Sequence, residues 1–302
     1  MSPTTGISLF ISMLFFLPLS SALLAQGDTA APPEVSKPKL IRHTFEHGSV
    51  INNQTVEGLN KKTVDFNVLH RFGSIVNSKD NIDLDNLFGI LSPSNINLGL
   101  NYGITNKISV GLGVTKYKKI YDLHWKYRAL QQNTGKIPLS VTYYGDAGLI
   151  TGPKANFLNQ DSAFKFANRI TYFHELMVGR KFNSHLSLQL SGYFVHINFA
   201  DTVTYKELKH DAAGASFVGK YTMSPQSSVM AIFNMPLMGR AADFPKPDIG
   251  IGIEVSTGSH QFQIFLTTAD AILYQEMRVY NPNNLLKKQM VIGFNITRSW
   301  NY

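Results

Sequence analysis

Residues 119–129 carry ionisable side chains at every second position. Asp122, His124, Lys126 and Arg128 alternate with Tyr121, Leu123, Trp125 and Tyr127. Side chains alternate across a strand, so one face would be charged and the other aromatic and aliphatic. The same parity places Asp65 and Arg71, then Arg169, Glu175 and Lys181, then Glu254 on the charged side of their own segments. The neighbouring segment presents Gly111 and Gly113 to the same side, which leaves room for long side chains or for a solute. Facing a watery lumen, a basic ladder concentrates anions. Facing one another, the same groups pair and fill the space. Both outcomes stand at this level, and these residues are the expected lumen lining.

Covalent chemistry finds less support. There is no cysteine, hence no disulfide, thiolate metal site or cysteine nucleophile. His185 and Ser187 share a strand face, as a serine nucleophile and its base require. That spacing resembles lipid A deacylase barrels, but it falls at the end of the strand away from the outer leaflet. His43 and His47 stand four apart without further ligands to complete a metal site, and read as solvated histidines. His174 and Glu175 are adjacent and so point to opposite faces. The sequence names no catalytic set, no metal set and no cofactor.

The elements that must position the charged face are strands. Residues 290–302 set Met290, Ile292, Phe294, Ile296, Arg298, Trp300 and Tyr302 against Gly293, Asn295, Thr297, Ser299 and Asn301. One face is apolar; the other is small and polar with little charge. This is the signature of a wall between lipid and water. Similar segments recur at about 63–72, 94–104, 108–115, 119–129, 137–150, 168–181, 185–197, 213–222, 227–237, 248–256 and 259–268. With the last strand that makes twelve, an even number, as bacterial single-chain barrels require.

Beyond residue 25 no stretch reaches the roughly 20 apolar residues of a spanning helix. The membrane-compatible alternative is a closed barrel, in which strands satisfy one another's backbone groups. Short and long connections fall on opposite parities, as periplasmic turns and outer loops do, which puts both termini in the periplasm. Two connections break the pattern: one near 116–118 is too tight, and Leu130–Lys136 is long for a turn. Tyr102, Trp125, Tyr127, Trp300 and Tyr302 lie toward the ends of strands running the same way, as in an interfacial aromatic girdle.

Residues 1–25 read as a secretory signal peptide cut after Ala25, against the rival of an uncleaved anchor. Residues 26–62 are then a periplasmic linker, a plug entering the lumen, or an added pair of strands that would raise the count to fourteen. The net charge of +8 comes without a basic run or nucleic-acid motif, so nucleic acid is not an expected partner. Within 185–197 the apolar parity changes after Leu190, which predicts a β-bulge near Ser191-Gly192. Phe173, Met177, Ile232 and Phe265 fall on the luminal parity, so they either pack on an inward-folded segment or mark a slip in register.

His70-Arg71-Phe72-Gly73, Leu87-Phe88-Gly89, Leu98-Gly99-Leu100-Asn101-Tyr102-Gly103, Lys126-Tyr127-Arg128 and Gly179-Arg180-Lys181-Phe182 together resemble an uncharacterised outer-membrane β-barrel family of Bacteroidota. The resemblance implies a fold and a membrane and brings no activity with it. The expectation is therefore an all-β, transmembrane, antiparallel up-and-down barrel in the outer membrane of a Gram-negative bacterium. Its expected partners are lipid, the barrel assembly machinery through the last strand, and a small polar or anionic solute. A small channel is the first functional expectation; a closed accessory barrel is the second, and a lipid-modifying enzyme the third.

Overall fold

The computed structural model describes residues 39–41, 43–154, 157, 164–200, 208–239 and 244–302. The expected signal peptide, residues 1–25, and residues 26–38 of the expected linker lie outside the described residues. The first strands are short: β1 (Ser49–Val50) and β2 (Asn53–Gln54) pair as a small hairpin. Twelve long strands follow. They are β3 (Thr63–Ser74), β4 (Asn95–Gly103), β5 (Ile108–Thr115), β6 (Ile120–Leu130), β7 (Ser140–Ile150), β8 (Ile170–Lys181), β9 (Leu186–Ile197), β10 (Asp211–Ser224), β11 (Ser227–Met238), β12 (Asp248–Thr257), β13 (His260–Thr267) and β14 (Val291–Asn301).

Each long strand pairs antiparallel with its sequence neighbours, and β14 closes on β3. Trp300 lies opposite Val64 and Phe294 opposite His70 across the closing seam. Closure leaves no open sheet edge, which is the condition for a sheet to sit in hydrocarbon. The strand count is twelve, not fourteen, because the extra pair β1–β2 stands apart from the barrel sheet. A short α-helix, α1 (Tyr274–Tyr280), lies between β13 and β14. Among the described residues no helix is long and apolar enough to cross a membrane.

The alternation read from the sequence is physically sorted by the wall. On β4 and β5, Leu98, Leu100, Ile108 and Leu112 are exposed outward, Leu112 by 62%. On the opposite parity of the wall Asn97, Ser109, Thr115 and Asn295 are buried. A cross-strand row runs Trp300, Val64, Tyr102, Val110, Trp125 around the outer surface. Arg298 sits near the end of β14 with its guanidinium 4.9 Å from the Trp300 ring, a placement that stabilises a cation at the edge of an apolar belt.

The expected bulge in β9 is absent. Its register runs unbroken against both β8 and β10, and Tyr193, Val195 and Ile197 all point inward and are buried. The apolar parity changes because the interior here is itself apolar. Phe45, Val50, Ile51 and Val56 from the N-terminal segment pack with Phe173, Met177, Tyr193, Val195, Ile232 and Phe265 of the wall. The luminal phenylalanines and methionine thus face an inward-folded segment, and the register does not slip.

The over-long turn between β6 and β7 also has a physical reason. Leu40 bridges Asn133, Ile41 N–H donates to the Gln132 carbonyl at 2.8 Å, and Thr134 N–H donates to the Lys39 carbonyl at 2.9 Å. The turn is a docking strip for the chain as it approaches the barrel. From there residues 44–58 run into the interior, reverse through β1–β2, and leave at the same end to begin β3.

Candidate functional site in the barrel interior

The wall holds the inner segment chiefly through long polar side chains that reach its backbone. Lys126 Nζ donates to the carbonyls of Gly48 at 2.9 Å, Thr55 at 3.1 Å and Glu57 at 2.8 Å. Gln189 brackets residues 54–56, donating to the Gln54 carbonyl and accepting from Val56 N–H, both at 2.8 Å. Gln263 does the same around the turn, donating to the Ser49 carbonyl and accepting from Ile51 N–H, both at 3.1 Å. Thr142 Oγ1 donates to the Val56 carbonyl at 2.7 Å. A segment with only two two-residue strands has few backbone partners of its own, and buried peptide groups must find others.

The tip of the hairpin meets a second network. Arg71, buried to 1% exposure, donates to Asn52 Oδ1 and to Asn295 Oδ1. Asn52 Nδ2 donates to Thr267 Oγ1 at 2.7 Å and to Asp248 Oδ2 at 3.3 Å. Asp248 also accepts from Asn234 and Thr267 and pairs with Arg278 of α1 at 3.3 Å. Arg278 donates to the Asn52 carbonyl at 3.1 Å. The inner segment, entering from the end with the short turns, therefore meets α1, which comes from the opposite end. The two meet in the barrel interior.

The residues expected to line the lumen fall into three groups. Asp122, His124, Lys126 and Arg128 lie on the inward face of β6. Asp122 Oδ2 accepts from or shares a proton with His124 Nδ1 at 2.8 Å, and His124 Nε2 lies 2.6 Å from Asn101 Oδ1. Arg128 donates to the Asn106 carbonyl and pairs with Glu57 at 3.6 Å. Glu175 and Glu254 form the second group, inward and buried to 1%. Ser191 Oγ donates to Glu175 at 2.5 Å, and Glu254 pairs with Lys220 while accepting from Gln261 and Gln263.

Arg169 stands apart. It ends the 3-10 turn Phe166–Arg169 ahead of β8 and donates to the carbonyls of Ile150 and Gly152 at 3.0 and 2.6 Å. Its guanidinium lies 5.1 Å from the Phe157 ring. It is a rim residue and is not on the strand, because the strand begins one residue later. Of the other parity assignments, Lys181 Nζ donates to the His43 carbonyl at 3.1 Å.

Sequence reasoning missed Asp146, Asp248, Lys220 and Arg278. The first three lie on the inward faces of β7, β12 and β10, and only Arg278 lies off a strand, on α1. Parity would have found Asp146, Lys220 and Asp248; nothing local marks Arg278 as reaching inward. With them included, the interior is no basic ladder: carboxylates of Asp65, Asp122, Asp146, Glu175, Asp248 and Glu254 stand among Arg71, Lys126, Arg128 and Lys220. On the inner segment, burial raises the Glu57 carboxyl above its ordinary value against the opposing pull of Arg128. Burial lowers His47, opposed by Asp65 and Glu254. His47 is half-buried inside the barrel and His43 is exposed.

The enzyme-like pair separates. Ser187 is buried on the inward face, while His185 precedes β9, bonds to the Thr222 carbonyl at 2.8 Å and stacks on Tyr221. Toward the loop end a vestibule of about 770 Å³ opens above α1, lined by Phe72, Tyr117, Lys118, Phe157, Phe199 and Tyr280 among others. Lys118 pairs with Glu276 at 2.6 Å across it. The tight β5–β6 connection that broke the loop pattern supplies that lysine to α1.

Solved structures to which the chain is similar include the NanC porin, at 9% identity over 79% of this chain and 100% of that one, with a TM-score of 0.46. An outer membrane channel from Pseudomonas putida F1 gives 12% identity over 81% and 98%, with a TM-score of 0.44. Outer membrane phospholipase A from Escherichia coli gives 8% over 78% and 92%, with a TM-score of 0.40. No curated protein matches the chain. The model of the family described as a membrane bound beta barrel domain, DUF5777, matches residues 45–300, most of the chain, and the protein belongs to that family.

Proposed function

We propose that this outer-membrane barrel is a channel for small polar solutes, held shut in this conformation by residues 44–58. The observation that supports the reading is the chemistry of the contact between wall and inner segment. Lys126, Gln189, Gln263 and Thr142 bind backbone groups of the segment, and water can take over such bonds at a net cost of about 0.5–1.5 kcal/mol each. Were the segment to leave, much of the wall it uncovers would be Gln, Asn, Thr, Ser and charged groups, a surface that wets. Asp122, His124, Lys126, Arg128, Glu175 and Glu254 are then the solute-facing groups, with Arg169 at the rim. The mixed signs of the interior favour polar solutes over a strict anion preference.

A second reading, a permanently closed accessory barrel, is favoured by one observation. Phe45, Val50, Ile51 and Val56 are buried against the wall, and such side chains contribute about 1.5–3 kcal/mol each relative to exposure. In either reading we assign no catalytic role, since His185 and Ser187 do not meet. We also take both termini to be periplasmic and β14 to be the strand recognised during assembly.

A covalent lock tests the channel. A Cβ placed at Gly179 on β8 lies 3.5 Å from Val56 Cβ, within the 3.5–4.5 Å that a disulfide spans. The chain has no other cysteine. Val56→Cys with Gly179→Cys should give conducting events in planar bilayers when reduced and silence when oxidised. Traces alike in the two redox states, whether open or silent, sink the gated-channel reading.

A further inference from the structure

Asp122, His124 and Asp146 bring one ligand atom each within 4.8 Å of one another on the inward faces of β6 and β7. They lie in a cavity of about 100 Å³ inside the barrel, enough for an ion and a few waters. Two glycines of β5 make the arrangement fit: side chains at Gly111 and Gly113 would collide with His124 and Asp122. The cluster is therefore built into the wall and is no chance meeting of flexible surface groups.

Its hydrogen bonding is incomplete in a way that points to a ligand. Asp122 is 6% exposed, and its Oδ1 has no hydrogen-bond partner while Oδ2 is engaged by His124. Gln275 of α1 is fully buried; its Nε2 donates to Asp146 Oδ1 at 2.6 Å and its Oε1 has no partner. A buried acceptor left bare costs about 1–3 kcal/mol. Here one bare oxygen belongs to a member of the cluster and the other to the side chain that donates to Asp146.

We propose that Asp122, His124 and Asp146 form a binding site for one divalent transition-metal ion, with Gln275 completing or steadying it from α1. Two carboxylates and one imidazole suit Zn²⁺, Mn²⁺ or Fe²⁺. Asn101 Oδ1, 2.6 Å from His124 Nε2, accepts from that nitrogen and holds the ring, the supporting role that oxygen partners play for ligating histidines; the ion then takes the place of the hydrogen bond between Nδ1 and Asp122 Oδ2. The bound ion ties α1 to β6 and β7. The site stands whether or not the barrel conducts.

The test is zinc titration of the purified full-length chain in detergent after chelation and dialysis, with ZnCl₂ as the probe. One ion should bind per chain in calorimetry and elemental analysis. Asn101→Ala should weaken binding about 10–100-fold, and loss of a ligand in His124→Ala or Asp146→Asn should weaken it by at least as much. Because any of these variants could misfold, each is first checked for the heat-modifiable electrophoretic mobility of an intact barrel. Leu100→Ala, on the lipid-facing side, serves as the folded control and should bind as the parent does. Absence of stoichiometric binding in the parent, or equal binding in folded His124→Ala and Asp146→Asn, overturns the site.

Discussion

The Arg71 guanidinium donates twice to the side-chain oxygen of Asn52, from Nε at 3.2 Å and from Nη2 at 2.7 Å. One residue belongs to the first wall strand and the other to the turn of the inner hairpin. Asn52→Leu should leave a buried cation short of an acceptor, at a cost of about 1–3 kcal/mol. The expected outcome is a lower unfolding temperature and faster proteolysis within residues 39–58. Unchanged protection of that segment would count against the tip as its anchor.

Lys126→Met should release three carbonyls of the inner segment together. In the gated reading, bilayer recordings show more frequent openings than the parent, because the closed state loses contacts that the open state never had. A companion variant, Lys126→Ala with Arg128→Ala, should shift reversal potentials in salt gradients away from anions. Identical potentials remove these two residues from the solute path.

Met177→Ala and Phe173→Ala probe the apolar half of the interior. Both side chains are completely buried against the inner segment, so truncation should cost about 2–5 kcal/mol through lost burial and a residual cavity. Leu112→Ala on the outer face should change stability far less, because that side chain faces lipid. Thermal or urea unfolding in detergent compares the three; equal losses would mean that the interior is not a packed core.

The Glu57 carboxyl should make stability fall as pH rises. Burial raises its folded value above the ordinary 4.5, so the folded chain holds this proton more tightly than the unfolded chain does. Its contribution is fully present below pH about 4.5 and is lost as pH climbs through the folded value. Unfolding measured from pH 4 to 7 should show this slope, and Glu57→Gln should flatten it. A parallel slope in the variant would assign the dependence to another group.

Much of the barrel is legible locally. All twelve wall strands lie within a few residues of where alternation puts them, because a strand between lipid and interior must sort its side chains with period two. Gly293, Asn295 and Thr297 against Ile292, Phe294 and Ile296 carry that rule almost without exception. The inward placement of Asp122, His124, Lys126 and Arg128 follows from the same parity.

What parity cannot supply is the partner of an inward side chain. Residues 44–58 have no strong periodicity, so their course through the interior depends on contacts made by Lys126, Gln189, Gln263 and Arg71, side chains distant in sequence. The apolar parity change in β9 looks like a bulge when the interior is assumed to be wet. It becomes an unbroken strand once Phe45, Val50, Ile51 and Val56 are in place to receive Tyr193 and Val195. Sequence alone determined a wall with one lipid face and one inward face, because that distinction is written residue by residue. Only the tertiary structure decided that the inward face meets protein, because filling a barrel depends on which distant segment satisfies its buried polar groups and covers its apolar ones.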